Sequence, residues 1–454
     1  MQARRALRLK PAFNPIGSPR LGGPDGMLFG EWRERVVATA ARRPPKPAEP
    51  LQWYQLALAD IYWLMEAAPD EAAAFEAIPE PSLQALAEER AWALEEHAPP
   101  PWTPPPLGAP AELMLSIAVE ARALDDALWT FRDKGAPDDP DLAFRVPHAR
   151  EIYLVPRKRY PGRSGPKTRQ PFTRRGLLHH RVFPREIGGA IVKLVEAPRT
   201  HHWGDGIRMG GALFENLALH PSPVGENGFL IDSVRCDDLD LQFQQHLDAC
   251  VRGEPCVAAL WPELTIPPRL RDTGAAFLRG LARDASAKRP GVAVFGTWHE
   301  HDGTAARNVA RIFSGYGDEL ASYAKMRKFA YEGREEAIEI GRDLPIVIVD
   351  DLLLGFGICK DFCDRNRDFP YQDLDLDLVL VPSFGSATTM NHHLITAAQI
   401  RVQYGAYAFI AQQAAKKPPK GQGWVAGLLD KPEDYKATDI VKSSGFETYA
   451  DPAR

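Results

Sequence analysis

The sequence predicts an α/β layered domain over its second half, preceded by a mainly α-helical region. From about Asp205 onward, short apolar runs alternate with stretches of helical periodicity, the pattern of sheets covered by helices. Before residue 150, apolar side chains recur instead at the three- and four-residue spacing of buried helix faces. Between the two lies a basic stretch of different texture, so the expected division is 1–150, 151–204 and 205–454.

In the first region Tyr54, Leu58, Ile61 and Met65 fall on one face of a helix, and Leu113, Ile117, Ala121, Leu124 and Leu128 repeat the pattern. A helix between them is expected to begin at Ser82, a hydroxyl-bearing cap after Pro81, and to end before Pro99-Pro100-Pro101. Proline cannot continue a helix, so the run to Pro106 is an extended connector. No internal repeat and no nameable chemistry stand out here.

From Ile152 to Arg185 the chain has no Asp or Glu. Arg157, Lys158, Arg159, Arg174 and Arg175, interleaved with Tyr160 and Phe172, form a candidate anion-binding arm. Nucleic acid, another anionic partner, or an acidic face of the same protein would each suit it, as would a solvated loop or an arm that docks on a neighbouring subunit. An overall charge of −5 makes nucleic acid the weaker of these readings.

Beyond Asp205 the expected strands are Phe229–Val234, Val257–Trp261, Val292–Gly296, Ile346–Val349, Leu353–Ile358, Leu378–Val381 and Ala406–Ala411. The expected helices are Leu239–Val251, Pro268–Arg283 and Met390–Tyr404. No apolar run reaches the roughly 18 residues that span a bilayer, and Met1–Arg20 is basic without an apolar core, so a cytoplasmic location is expected. Five cysteines form no disulfide framework. Cys359 and Cys363 have the spacing of half a zinc site, but no second close pair follows. His299-Glu300-His301 is too tight for the two-histidine helical zinc motif, so no metal is expected.

Three segments carry unusual residues. Ala258-Ala259-Leu260-Trp261-Pro262-Glu263 is an apolar strand ending in a proline and a carboxylate, a partly desolvated place suited to proton transfer. Tyr323-Ala324-Lys325 places a lysine after a second strand. Leu353-Leu354-Gly355-Phe356-Gly357-Ile358-Cys359 ends a third strand at a thiol, where a turn presents backbone N–H groups to a developing oxyanion. Taken singly, these residues read as a surface acid, a surface lysine and a buried structural cysteine.

Together and in this order, the three segments resemble the nitrilase superfamily of carbon–nitrogen hydrolases, over roughly Asp205 to Gln413. Asp361 and the strand Leu378-Val379-Leu380-Val381-Pro382-Ser383 also fit. The resemblance implies a nitrilase-like four-layer α-β-β-α sandwich. It also implies Cys359 as nucleophile, Glu263 as general base and Lys325 as oxyanion stabiliser, aided by the backbone N–H of Lys360. Glu332, with Glu335 as runner-up, would support the lysine, and Phe384, His392 and His393 are candidate pocket residues. The implied activity is a cysteine-dependent, amidase-like hydrolysis of small-molecule amides or related C–N bonds through a thioester, with no cofactor. Nitrile hydrolysis and acyl transfer to an amine stay open. A homodimer or larger oligomer through Met390–Tyr404 is implied as well.

The sequence departs from the family pattern in three ways. Lys360-Asp361-Phe362-Cys363-Asp364 replaces the usual run after the cysteine, the end after Gln413 lacks the usual strand pair, and the N-terminal extension is foreign to ordinary members. A second sheet that is abbreviated, or completed by a partner, is therefore expected. The extension leaves a second reading, a regulated effector or binding module on the same fold, recruited through its N-terminus in a defence or nucleic-acid-linked system.

Overall fold

The computed structural model describes residues 28–72, 78–96, 98–133, 152–156, 177–187, 189–201, 207–281, 284, 286–303, 305–331, 333–350, 352–364, 374, 376–419 and 421–450. The chain forms two compact units that divide at Gly189 and Ala190.

The first unit contains α1 (Phe29–Arg42), α2 (Leu51–Glu66), α3 (Glu80–Glu95) and α4 (Pro110–Asp133). Its remaining elements are β1 (Ile152–Pro156), β2 (His180–Pro184) and the short β3 (Glu186–Ile187). Both expected stripes are buried: Tyr54, Leu58, Ile61 and Met65 of α2 join Leu113, Ile117, Ala121, Leu124 and Leu128 of α4, with Trp32, Leu83 and Leu94. Burying each of the larger side chains contributes about 1.5–3 kcal/mol, which holds together helices that have little stability alone. α3 begins at Glu80 behind Pro79, not after a Ser82 cap. Pro81 lies in its first turn, where a fixed φ suits the helix and the missing N–H costs nothing.

β1 and β2 pair antiparallel, from Ile152 opposite Pro184 to Pro156 opposite His180. Asp125 of α4 anchors β2: Oδ2 accepts from the N–H groups of Leu178 and His179 (2.6 and 2.8 Å), and Oδ1 meets His180 Nδ1 at 2.8 Å. This end of the acid-free stretch therefore folds onto a carboxylate of its own unit. Arg157, Lys158, Arg159, Arg174 and Arg175 lie outside the described residues.

The second unit comprises β4 (Ala190–Glu196), β5 (Arg208–Leu213), β6 (Ala218–Val224), β7 (Gly228–Arg235), α5 (Leu239–Arg252), β8 (Ala258–Leu260), α6 (Pro268–Gly280), β9 (Val292–Val294), β10 (Trp298–Asp302), β11 (Ala305–Ser314) and β12 (Glu319–Ala324). It continues with β13 (Ala330–Tyr331), β14 (Arg334–Glu336), β15 (Asp343–Val349), β16 (Leu352–Phe356), α7 (Lys360–Cys363), β17 (Leu378–Gly385), α8 (Ala387–Tyr404), β18 (Tyr407–Ala414), β19 (Gly423–Ala426), β20 (Val441–Lys442) and β21 (Gly445–Ala450).

One large sheet runs β10-β11-β9-β8-β5-β21, with β12 also on β11. The other runs β20-β19-β18-β17-β16-β15-β4, and a small third sheet runs β13-β14-β7-β6. β16, β17 and β18 pair in parallel, which explains why they read as continuous apolar runs: both faces are covered.

The layers follow from the contacts. Phe243 and Leu247 of α5 and Leu270, Ala275 and Leu278 of α6 pack on Ala259, Ala293 and Phe295 of the first sheet. That sheet's opposite face meets the second sheet. A Cβ at Gly211 of β5 would lie 3.2 Å from both Phe409 and Val425, and the Phe409 ring lies 5.9 Å from Tyr449. α8 covers β17 and β18 on the far side. The order is α-β-β-α, as expected.

In the second unit some elements differ from those expected. α8 starts at Ala387 because Ser386 caps it, its hydroxyl accepting from the Thr389 N–H, and Met390 is a full turn inside. α6 stops at Gly280, short of Arg283. The second sheet is not cut short: β19 and β20 extend it beyond β18, and β21 pairs with β5 of the first sheet. No helix among the described residues is long and apolar enough to cross a membrane.

Candidate active site

Glu263 is carried three residues past β8 by a tight turn. Leu264 takes φ +58°, a left-handed conformation that is costly for a leucine. The turn is fixed by Leu264 N–H donating to Thr297 Oγ1 (3.1 Å) and Thr265 Oγ1 donating to the Pro262 carbonyl (2.8 Å). Gly296, at φ +60°, allows this close passage, since a Cβ there would sit 2.4 Å from the Pro262 oxygen. The carboxylate is thereby turned inward and is 2% exposed.

Lys325 follows β12, its N–H donating to the Asn308 carbonyl of β11 (2.8 Å). Its ammonium, 2% exposed, donates to Glu263 Oε1 and Glu336 Oε2, each at 2.8 Å. Burial alone would lower this ammonium's pKa, but the two carboxylates outweigh it and hold the pKa well above the ordinary value. Asn308 Nδ2 donates to Glu263 Oε1 and Glu336 Oε1, both at 3.0 Å, which fixes the amide orientation. Its Oδ1 is buried and has no partner among the described residues.

His299 of β10 completes the group. Its Nδ1 accepts from the Ile231 N–H (2.7 Å), so the ring proton resides on Nε2, 2.8 Å from Glu336 Oε1. Lys325 is the cation set between two carboxylates. Burial would raise the Glu336 pKa, yet Lys325 and the His299 hydrogen bond bring it down to about 2.

Cys359 sits just beyond β16 at φ +45° and ψ −103°, a conformation of sharp turns that costs on the order of 1–3 kcal/mol. Its N–H donates to the Pro382 carbonyl of β17 (3.0 Å), and its own carbonyl accepts from Phe362 N–H (3.0 Å) to open α7. The Lys360 N–H, first in that turn, has no partner among the described residues. Sγ lies 3.7 Å from the Phe384 carbonyl. Burial and then the Glu263 charge push the thiol well above its ordinary pKa, against the pull of Lys325. The same turn buries Asp361, whose Oδ2 accepts from Tyr323 Oη (2.8 Å) and whose Oδ1 accepts from Met326 N–H (3.1 Å). Asp361 thus ties the cysteine turn to the residues on either side of the lysine, and burial raises its pKa to about 7.

The expected supporting residues are placed differently. Glu332 lies outside the described residues, and Glu335 is exposed beside Lys328 at 3.5 Å. Glu336 reaches the lysine instead. Successive residues of a strand point to opposite faces, and Glu336 shares its buried face with Ile338. That two-residue alternation was the available signal.

Phe384 contributes its backbone, with N–H donating to Glu263 Oε2 at 3.2 Å, while its ring packs against the core under the first sheet. His393 is buried, with Nε2 3.0 Å from Ser383 Oγ, whereas His392 is exposed on α8. Asn308 was not singled out by sequence reasoning, His299 was weighed only within a zinc motif and Ser383 only as the end of a strand, because an isolated polar residue in a strand announces no partner. Among the described residues no group of three or more His, Cys, Asp or Glu side chains is arranged to hold a metal ion.

No family model matches the chain, and no curated protein matches it. Among solved structures, it is similar to an amidase from Nesterenkonia sp., at 19% identity, covering 57% of this chain and 93% of that one, with a TM-score of 0.36. A cysteine-to-alanine mutant of the Nesterenkonia AN1 amidase from the nitrilase superfamily matches at 20% identity, 56% and 93% coverage and a TM-score of 0.37. The C. elegans NitFhit protein matches at 16% identity, 55% and 61% coverage and a TM-score of 0.35.

Proposed function

We propose that the second unit is a nitrilase-superfamily hydrolase of non-peptide carbon–nitrogen bonds, with Cys359 as nucleophile, Glu263 as base and Lys325 as oxyanion stabiliser. The observation that carries this reading is a buried thiol on a strained turn, electrostatically coupled to a carboxylate and an ammonium that contact each other at 2.8 Å. A structural cysteine needs neither the strained backbone nor two buried charges beside it.

The protonation states fit a base-assisted attack. At rest the thiol is neutral, because ionising it would add a negative charge near Glu263 in a desolvated site. Glu263 Oε2 accepts only the Phe384 N–H among the described groups, which leaves it acceptor capacity for the thiol proton. As Sγ bonds to the amide carbon, that proton passes to Glu263. The carbonyl oxygen becomes an oxyanion facing the Lys325 ammonium and the Lys360 N–H. Glu263 then protonates the departing nitrogen, leaving a thioester. Water, deprotonated by Glu263, attacks the thioester carbon, and the leaving thiolate recovers a proton from the carboxyl. Glu336, His299, Asn308 and Asp361 act as positioning residues: they hold the ammonium and the turn in register.

Ile395 and Val402 stand exposed (38% and 56%) on α8, where self-association is also proposed; a monomer by light scattering at micromolar concentration would remove that part. The main test is intact-protein mass spectrometry of the full chain with small amides and with fluoroacetamide, comparing wild type and Cys359→Ala. The reading expects ammonia release and an acyl adduct on wild type only. Turnover that survives Cys359→Ala, or labelling at Cys363 in place of Cys359, overturns it.

A further inference from the structure

The helical unit holds a cleft of about 210 Å³ between the end of α1 and the connector ahead of α4, lined by Arg43, Lys46, Trp53, Arg90, Trp102 and the prolines at 44–45 and 99–101. We infer that this cleft binds a small organic oxyanion, a carboxylate or phosphate monoester carrying a flat apolar part.

The charge in the cleft is unbalanced. Arg43 and Arg90 share one buried carboxylate: Glu120 takes Arg43 Nη1 on Oε1 and Arg90 Nε on Oε2 (2.7 Å). Among the described residues Lys46 forms no salt bridge with a carboxylate; its Nζ donates to the Leu94 carbonyl (2.6 Å) and lies 3.5 Å from Tyr54 Oη. Burial lowers its pKa, with only Glu95 opposing.

The second observation concerns Arg43 itself, whose side chain is 9% exposed. With Nη1 engaged by Glu120, its Nε and Nη2 are buried and have no partner among the described residues. These two N–H groups share one edge of the guanidinium, the edge that grips a carboxylate or phosphate through two parallel hydrogen bonds.

The walls suit a flat ligand. The Arg43 guanidinium lies 5.1 Å from the Trp102 ring centre and 5.9 Å from that of Trp53. Both indoles are pinned, Trp53 Nε1 donating to the Pro44 carbonyl (2.8 Å) and Trp102 Nε1 to Ser116 Oγ (3.1 Å). The prolines present no backbone N–H, so an anion entering here is met by Arg43 and Lys46. Proline and tryptophan walls are also stiff, so little order has to be imposed on binding.

The test is calorimetric titration of the full chain with phenyl phosphate, benzoate and inorganic phosphate, with benzylammonium as the cationic counterpart. Saturable one-to-one binding of phenyl phosphate or benzoate, and none of benzylammonium, is expected; whichever aromatic anion binds tighter identifies the headgroup. Arg43→Lys keeps the charge but removes the fork and should weaken binding by about tenfold or more. Should that variant fail to fold, Lys46→Met and Trp102→Phe leave the Glu120 pairs intact and should weaken binding as well. Binding that none of these substitutions changes, or no heat from any anion at millimolar concentration, overturns the inference.

Discussion

Replacing Glu336 by glutamine swaps one carboxylate oxygen for an amide NH2 in a place where each oxygen already accepts from two donors. Oε1 faces His299 Nε2 (2.8 Å) and Asn308 Nδ2 (3.0 Å), while Oε2 faces Lys325 Nζ (2.8 Å) and the Phe329 N–H (3.1 Å). Whichever end carries the NH2, it meets two donors, so rotating the amide brings no relief. The carboxyl's pKa of about 2, against an ordinary 4.5, gives the scale. Its folded value is depressed, so its stabilisation is complete above the unfolded value and is lost as pH falls from about 4.5 toward 2. At neutral pH that is worth about 3 kcal/mol, in line with the roughly 3–5 kcal/mol for breaking one side of a buried ion pair. For a unit of this size it corresponds to a melting temperature lower by roughly 6–12 °C. Glu335→Gln, which removes an exposed carboxylate, should stay within about 0.5 kcal/mol. Thermal melts of both variants at pH 7, with wild type followed down to pH 3, are the assay. A Glu336→Gln protein that melts like wild type while Glu335→Gln does not would refute the assignment of the supporting carboxylate.

Three further outcomes follow from the same geometry. Cys359→Gly should be more stable than Cys359→Ala by about 1 kcal/mol, because only glycine relieves the positive φ; equal melting temperatures would mean the turn relaxes freely. Alkylation of Cys359 by iodoacetamide should keep accelerating beyond pH 9, since burial and then Glu263 hold the thiol above that value; a plateau below pH 7 would reveal a resting thiolate. Asp361, whose folded pKa of about 7 lies above its ordinary 3.8, opposes folding increasingly as pH rises between those values. Asp361→Asn should therefore flatten the decline in melting temperature from pH 4 to pH 7, and an unchanged slope would assign that decline to other groups.

What the chain disclosed in advance follows from which physical constraints leave a period behind. The α2 and α4 stripes were legible because burial of one helix face forces a 3.6-residue repeat. The strands β15 to β18 were legible because two covered faces force an unbroken apolar run. β21 was not: Gly445–Ala450 is half-exposed along its length, and nothing local marks it as the partner of β5. In the site, Glu263, Lys325 and Cys359 stood out only as an ordered set, since each has a blander reading alone. Glu336 was not legible because two neighbouring glutamates, Glu332 and Glu335, offer the same chemistry and only strand parity separates them. Asn308 and His299 were illegible because their meaning comes from residues brought to them by three different strands. The Arg43 cleft was hidden for the same reason, its cations and indoles being distributed over the segment after α1, over α2 and α3, and over the proline connector.

The pairing of β5 with β21 also sets a timetable for biosynthesis. Leu213 must wait for Gly445 before its strand acquires its second neighbour. At about 5–20 residues per second, the intervening chain takes on the order of ten to fifty seconds to emerge from the ribosome. Throughout that interval one edge of β5 presents open N–H and C=O groups to any extended chain nearby. The nascent polypeptide is thus most at risk of mispairing late in translation, when nearly all of the second unit exists and the strand that would seal it does not.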